Sequence, residues 1–255
     1  MVFRNDRVLE TESMETLEEI RAYDLLTLKY LTILHNGFVE SVLGLSPASG
    51  SFLEVGCGTG RISIGVAKLA EEQITLTAVD ISENMLAVAR DNAQQEGVAG
   101  RIDFQTGDGK RLPFGDAGFD AVYCHNMLHH VPEPINLVRE MHRVAKPGGA
   151  ILIRDLVRVS SLEIPLHVHL LGLTYTRLMK KEYRDSIKAA LSKQEWREMA
   201  KQANIEGAVI NRFFITHQGL ERPAANRRKE RITVPTPCHI RPFKNMYVSP
   251  LISLG

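Results

Sequence analysis

Short apolar runs alternate along this chain with longer stretches whose apolar residues recur at three- and four-residue steps. The runs Phe52–Val55, Ile74–Asp80, Arg101–Thr106, Gly118–Cys124 and Ala150–Leu156 read as buried strands. Between them, 61–70, 83–96 and the stretch from Pro134 to Lys146 read as helices. Before them, Leu17, Ile20, Leu28, Leu31 and Leu34 predict helix over 14–45, ended by Gly44 and Pro47. After them, Ser192 and Glu195 form a capping box that opens a helix over 193–203, and 205–222 reads as two further strands. Strands alternating with helices predict an α/β fold with a mostly parallel sheet.

The first strand runs into Glu54-Val-Gly56-Cys-Gly58-Thr-Gly60. Glycines let a backbone turn tightly and approach a ligand, and a following helix start offers unpaired N–H groups. A dinucleotide fingerprint would place its third glycine at position 61, where this chain has Arg61. The second strand ends in Asp80, 20 positions after Gly60, where a carboxylate can accept from both ribose hydroxyls. That feature fits a nicotinamide cofactor as well, and an acid opening a helix is its bland alternative. The third strand ends in Gly107-Asp108-Gly109, which is also good turn chemistry. The fourth exits into His125-Asn126-Met127-Leu128-His129-His130-Val131-Pro132, and the fifth is preceded by Lys146-Pro147-Gly148-Gly149.

These motifs, in this order over 51–157, resemble the class I S-adenosylmethionine (SAM)-dependent methyltransferases of the metabolite type. The resemblance implies a Rossmann-like, seven-stranded, mostly parallel sheet with helices on both faces, closed by a terminal antiparallel hairpin. It implies SAM as cofactor, bound by Glu54, Gly56, Gly58, Gly60, Asp80, Ile81, Met85, Asp108, Gly109 and Asn126. Ile81 and Met85 would pack near the adenine, or both are plain core. Asp108 would accept from the adenine amino group. His129 is the candidate catalytic residue, since imidazole titrates near neutral pH; a loop-shaping role is its alternative. The domain pattern is a helical cap over 1–50, with Tyr23 near the cofactor or simply packed, and a methyltransferase domain over 51–223. Within it, 158–191 is a substrate lid with apolar Leu166, Leu170 and Leu173, and Tyr183 to Ser186 facing the site. Residues 224–255, opening on a basic cluster at Arg227–Arg231, read as a disordered tail.

Composition narrows the function. With 255 residues the chain can bury a substantial core, and its 44% apolar and 24% charged residues are ordinary for a globular protein. The net charge of +1 favours neither nucleic acid nor a membrane surface. No 18-residue apolar run predicts a span, and Met1–Glu15 lacks the apolar core of a secretory signal, so the cytoplasm is expected. Three scattered cysteines give no disulfide framework or metal spacing, and His167 and His169 diverge on a helix; no metal is expected. No Asn-Pro-Pro-Tyr motif follows the fourth strand, which argues against an amide or nucleobase amine as target. The expected activity is methyl transfer to a small-molecule O, N, S or C nucleophile. The alternatives are a non-catalytic SAM-binding partner subunit and a nicotinamide-dependent oxidoreductase.

Overall fold

The computed structural model describes residues 6–10, 16–173, 175–213, 215–230 and 232–234. Strands β1 (Gly50–Val55), β2 (Ile74–Asp80), β3 (Ile102–Thr106), β4 (Phe119–His125) and β5 (Ala145–Arg158) are parallel neighbours. The two-residue β6 (Leu191–Ser192) pairs with the end of β5. Then β7 (Val209–Phe213) and β8 (His217–Arg222) close the sheet antiparallel, in the order β3-β2-β1-β4-β5-β8-β7. The expected seven-stranded frame with its terminal hairpin is therefore present. The strand order reverses between β1 and β4, and in open α/β sheets ligands bind in the crevice at that reversal.

Alternation along each strand feeds two core layers. Phe52, Leu76, Ala78, Ala121, Tyr123 and Leu152 face α2 (Thr32–Leu45), α3 (Arg61–Leu69) and α4 (Glu83–Gln95). Leu53, Val55, Val122, Cys124, Ile151 and Ile153 face α5 (Pro134–Val144) and α8 (Lys193–Ala203), with Leu137, Met141 and the fully buried Trp196. The capping box at Ser192 and Glu195 forms as expected, and Pro134 occupies the first turn of α5, where its missing N–H costs nothing.

Two expectations are corrected. The stretch 14–45 is two helices, α1 (Leu17–Tyr30) and α2, parted at Leu31. Thr32 donates its hydroxyl back to the carbonyl of Leu28, the kind of side-chain bond that bends a helix. The apolar stretch from Ile164 breaks at Gly172, between α6 (Ile164–Leu171) and α7 (Arg177–Ala189), which Thr176 caps. The tail does not come loose at 224: Ala224 donates to the carbonyl of Leu45, Arg228 to that of Ser46, and Val234 to Glu40. Ala224 and Val234 join the core, because apolar side chains there meet α2; residues 235–255 lie outside the described set.

Candidate active site

The loop between β1 and α3 is built by its glycines. Gly56, Gly58 and Gly60 all have positive φ, at 71°, 52° and 77°. Gly56 and Cys57 donate to the carbonyl of Val79, which pins the loop to β2. A Cβ on Gly56 would stand 2.5 Å from the Met127 sulfur, whereas one on Gly58 would meet nothing within 4 Å. Gly58 thus faces open space, and Gly56 is held small by its neighbour.

Asp80 sits at the end of β2 with one carboxylate oxygen 2.8 Å from the Gly58 N–H and the other 2.9 Å from the Ser82 N–H. Burial pushes its acid up, and the backbone donors only partly offset that. Next to it Ile81 is 68% exposed, while Met85 is half-buried. The β3 end adjoins, since Asp80 pairs with Thr106 and Gly107 donates to the Asp80 carbonyl. Asp108 is partly exposed there; Lys110 holds its carboxyl below the usual range through its ammonium and its N–H, each 2.9 Å away. Gly58, Asp80, Ile81, Met85 and Asp108 therefore share one edge, while Gly60 packs against Ala89 and Phe104.

Three further expected residues have partners within the protein. Glu54 alternates to the α3 side of β1, where its enclosed carboxylate accepts from the Ser63 hydroxyl. Burial pushes it up to about 8, so it serves the β1–α3 junction. Gly109 is packed inward against Leu137, Val55 and Met127. Asn126 takes φ of 52° and its side-chain oxygen lies 3.2 Å from His217 Nε2.

The helical cap is fastened to the glycine loop by residues that motif reading passed over. Asp24 of α1 is buried and takes a two-pronged bond from Arg61, the first residue of α3. Asn92 of α4 donates to Asp24 and, at 3.0 Å, to the carbonyl of Thr59. The available signal was a carboxylate at a core-facing step of α1, between Ile20 and Thr27, both buried. Tyr23 beside it is half-buried in the cap.

Past β4, His129 is 4% exposed. Its Nδ1 lies 2.6 Å from Asp155 Oδ1 and its N–H donates to Asp155 Oδ2 at 3.1 Å. Burial pushes the imidazole down, but the Asp155 charge and hydrogen bond outweigh it and leave the group above its ordinary value. Asp155, on β5, is likewise pushed up by burial and pulled below its ordinary range by His129. The turn carrying His129 is held by Arg7, whose guanidinium bonds the carbonyls of Leu128, His129, Val131, Pro132 and Ala189. His130, exposed, pairs with Glu10 at 2.8 Å. On the other side of the strand exit, His35, His125 and His217 cluster with Phe38. Burial drives His35 to about 4 and His217 to about 3, so this wall is uncharged at neutral pH. Tyr183 turns away, packing on Ile164, Val168 and Ile187.

The cradle fits the cofactor that the motifs imply. Gly58 leaves room, two strand-end carboxylates can accept hydrogen bonds, and Ile81 offers an open apolar surface. Residues 53–153 match the model of a methyltransferase domain family. The 27-O-demethylrifamycin SV methyltransferase of Amycolatopsis mediterranei is 29% identical over 66% of this chain and 58% of its own. The ubiquinone biosynthesis O-methyltransferase of Xanthomonas axonopodis is 34% identical over 57% of this chain and 60% of its own. A SAM-dependent methyltransferase from Aquifex aeolicus has the same fold, with a TM-score of 0.59 at 18% identity over 82% of this chain and 99% of that one. Such curated relatives are matched over 39% to 64% of their own length.

Proposed function

Because this chain belongs to the class I SAM-dependent methyltransferases, carrying their domain over residues 53–153, we propose that it methylates a small-molecule nucleophile. The observation that carries the reading is the open cradle at Gly58, with Asp80 and Ile81 on its rim. Asp80 would accept from the ribose hydroxyls, Ile81 and Met85 would pack on the adenine, and Asp108 would accept from its amino group. Bound there, SAM supplies an already electrophilic methyl group, so the protein's task is to orient, to exclude water and to handle a proton.

His129 would be the group that handles it. Asp155 on Nδ1 would orient the ring and leave Nε2 as the basic nitrogen, to take a proton from an acceptor hydroxyl or amine. Asp155 acts through His129 and is a positioning residue. The hairpin of α6 and α7 would form the lid over that acceptor. The cytoplasm remains the expected place of action; no helix among the described residues is long and apolar enough to cross a membrane. A metabolite screen with methyl-labelled SAM tests the proposal: label should pass to a small-molecule acceptor, and transfer should fall in His129→Ala. Tight SAM binding with no acceptor labelled would favour a non-catalytic partner subunit.

A further inference from the structure

Helix α6 is apolar on both faces. Ile164 and Val168 turn inward onto Ile187, Val159 and Tyr183. Outward, Leu162 in the preceding turn, Leu166, Leu170 and Leu173 just past the helix recur at four-, four- and three-residue steps, which is one stripe. They are 79%, 56%, 54% and 65% exposed. Four exposed leucines on one side, with His169 beside them, form an apolar stripe that calls for a cover. Its neighbour α7 supplies the second half of the surface. Met179 and Ile187 are buried and Tyr183 packs on α6, while Arg177, Lys180, Lys181 and Arg184 recur on another face and flank one shallow depression. Helix α7 holds five Lys and Arg against Glu182 and Asp185, in a chain whose net charge is only +1. The positive charge is thus concentrated beside the leucines.

We propose that the outer face of the α6–α7 hairpin docks on an anionic lipid bilayer. The leucines enter the acyl boundary and the four cations meet the headgroups, the combination by which peripheral proteins hold to charged membranes. Charge complementarity selects this occupant, since a neutral apolar partner would desolvate Arg177, Lys180 and Arg184 and offer them no charge of its own. Interfacial docking needs no spanning helix and no global charge. The surface lies beside the His129 turn, because Arg7 ties the carbonyl of Ala189 at the end of α7 to those of Leu128–Pro132. The docking does not depend on the methyl-transfer reading.

Flotation of the full chain with vesicles tests it, using phosphatidylcholine alone or mixed with phosphatidylglycerol. Binding is expected to the mixed vesicles, to weaken with salt, and to be weak or absent on phosphatidylcholine. Arg177→Glu/Lys181→Glu/Arg184→Glu should lower the affinity by about a hundredfold or more. Leu166→Ser/Leu170→Ser should release the protein equally, with its circular dichroism spectrum and thermal midpoint unchanged, since these side chains are already in water. No binding to mixed vesicles, or equal binding to both kinds, would overturn the proposal. A dimer in sedimentation that Leu166→Ser/Leu170→Ser dissociates would overturn it too, by naming a second copy as the cover.

Discussion

His129 Nδ1 lies 2.6 Å from Asp155 Oδ1, in a pair almost wholly withdrawn from solvent. One residue comes from the turn after β4 and the other from β5, so the sheet itself fixes their geometry. His129→Ala should cut turnover by about 10²–10⁴-fold while SAM affinity stays near wild type. Equal losses of binding and turnover would mark His129 as structural.

The pH profile separates the two members. Asp155 holds the His129 imidazole above its ordinary 6.5, so the basic form appears only as pH rises past that raised value. Asp155→Asn removes the charge, and the acidic limb of kcat/KM should move to lower pH. For stability the sign runs the other way. The raised His129 contributes fully below 6.5, and that contribution is lost as pH rises through its folded value. The depressed Asp155 contributes above 3.8 and is lost as pH falls through its folded value. An unmoved limb in Asp155→Asn would remove Asp155 from a positioning role.

Glycines at the loop should fail in different ways. Gly58→Val meets no neighbour but adopts a strained φ of 52° and fills the cradle, so SAM binding should drop in a protein that still folds. Gly56→Ala drives a methyl into Met127 and should lower thermal stability as well. If Gly58→Val bound SAM as wild type does, the cradle assignment would be wrong.

Glu54 predicts a stability difference that depends on pH. Its folded value of about 8 against 4.5 means the folded state holds a proton there that the unfolded state releases between those values. Wild-type stability therefore carries a cost that grows from about pH 4.5 to about pH 8 and is then level. Glu54→Gln should gain on wild type across that window in chemical denaturation. A constant difference would mean that Glu54 is ionised when folded.

Arg7 should matter more than its place near the chain start suggests. Arg7→Met strips a guanidinium from five carbonyls and should cost about 1.5–3 kcal/mol, seen as a lower thermal midpoint and weaker turnover. An unchanged midpoint would show that water replaces those bonds.

The legible parts of this protein are the local ones. A glycine turn, an acid at a strand end and a capping box are written in neighbouring residues, so Gly56–Gly60, Asp80 and Ser192 could be read directly. Asp155 could not, because Arg154-Asp155 sits inside an apolar strand and its partner is 26 positions earlier. Arg7 bonds residues more than a hundred positions away, and no spacing announces that. Glu54 was legible as a motif residue but not as a buried one, since only the packing of α3 over β1 encloses it. The 224–234 segment was misread because its sparse apolar residues have no period, although Ala224 and Val234 find core positions against α2.

The central claim rests on one cofactor in one cradle, and calorimetry addresses it directly. SAM and S-adenosylhomocysteine should bind the wild-type chain, and NAD should not. Asp80→Ala, which removes the acceptor at the cradle rim, should weaken SAM by about 1.5–3 kcal/mol with the fold intact by circular dichroism. Binding of NAD without SAM, or SAM affinity unchanged in Asp80→Ala, would contradict the account.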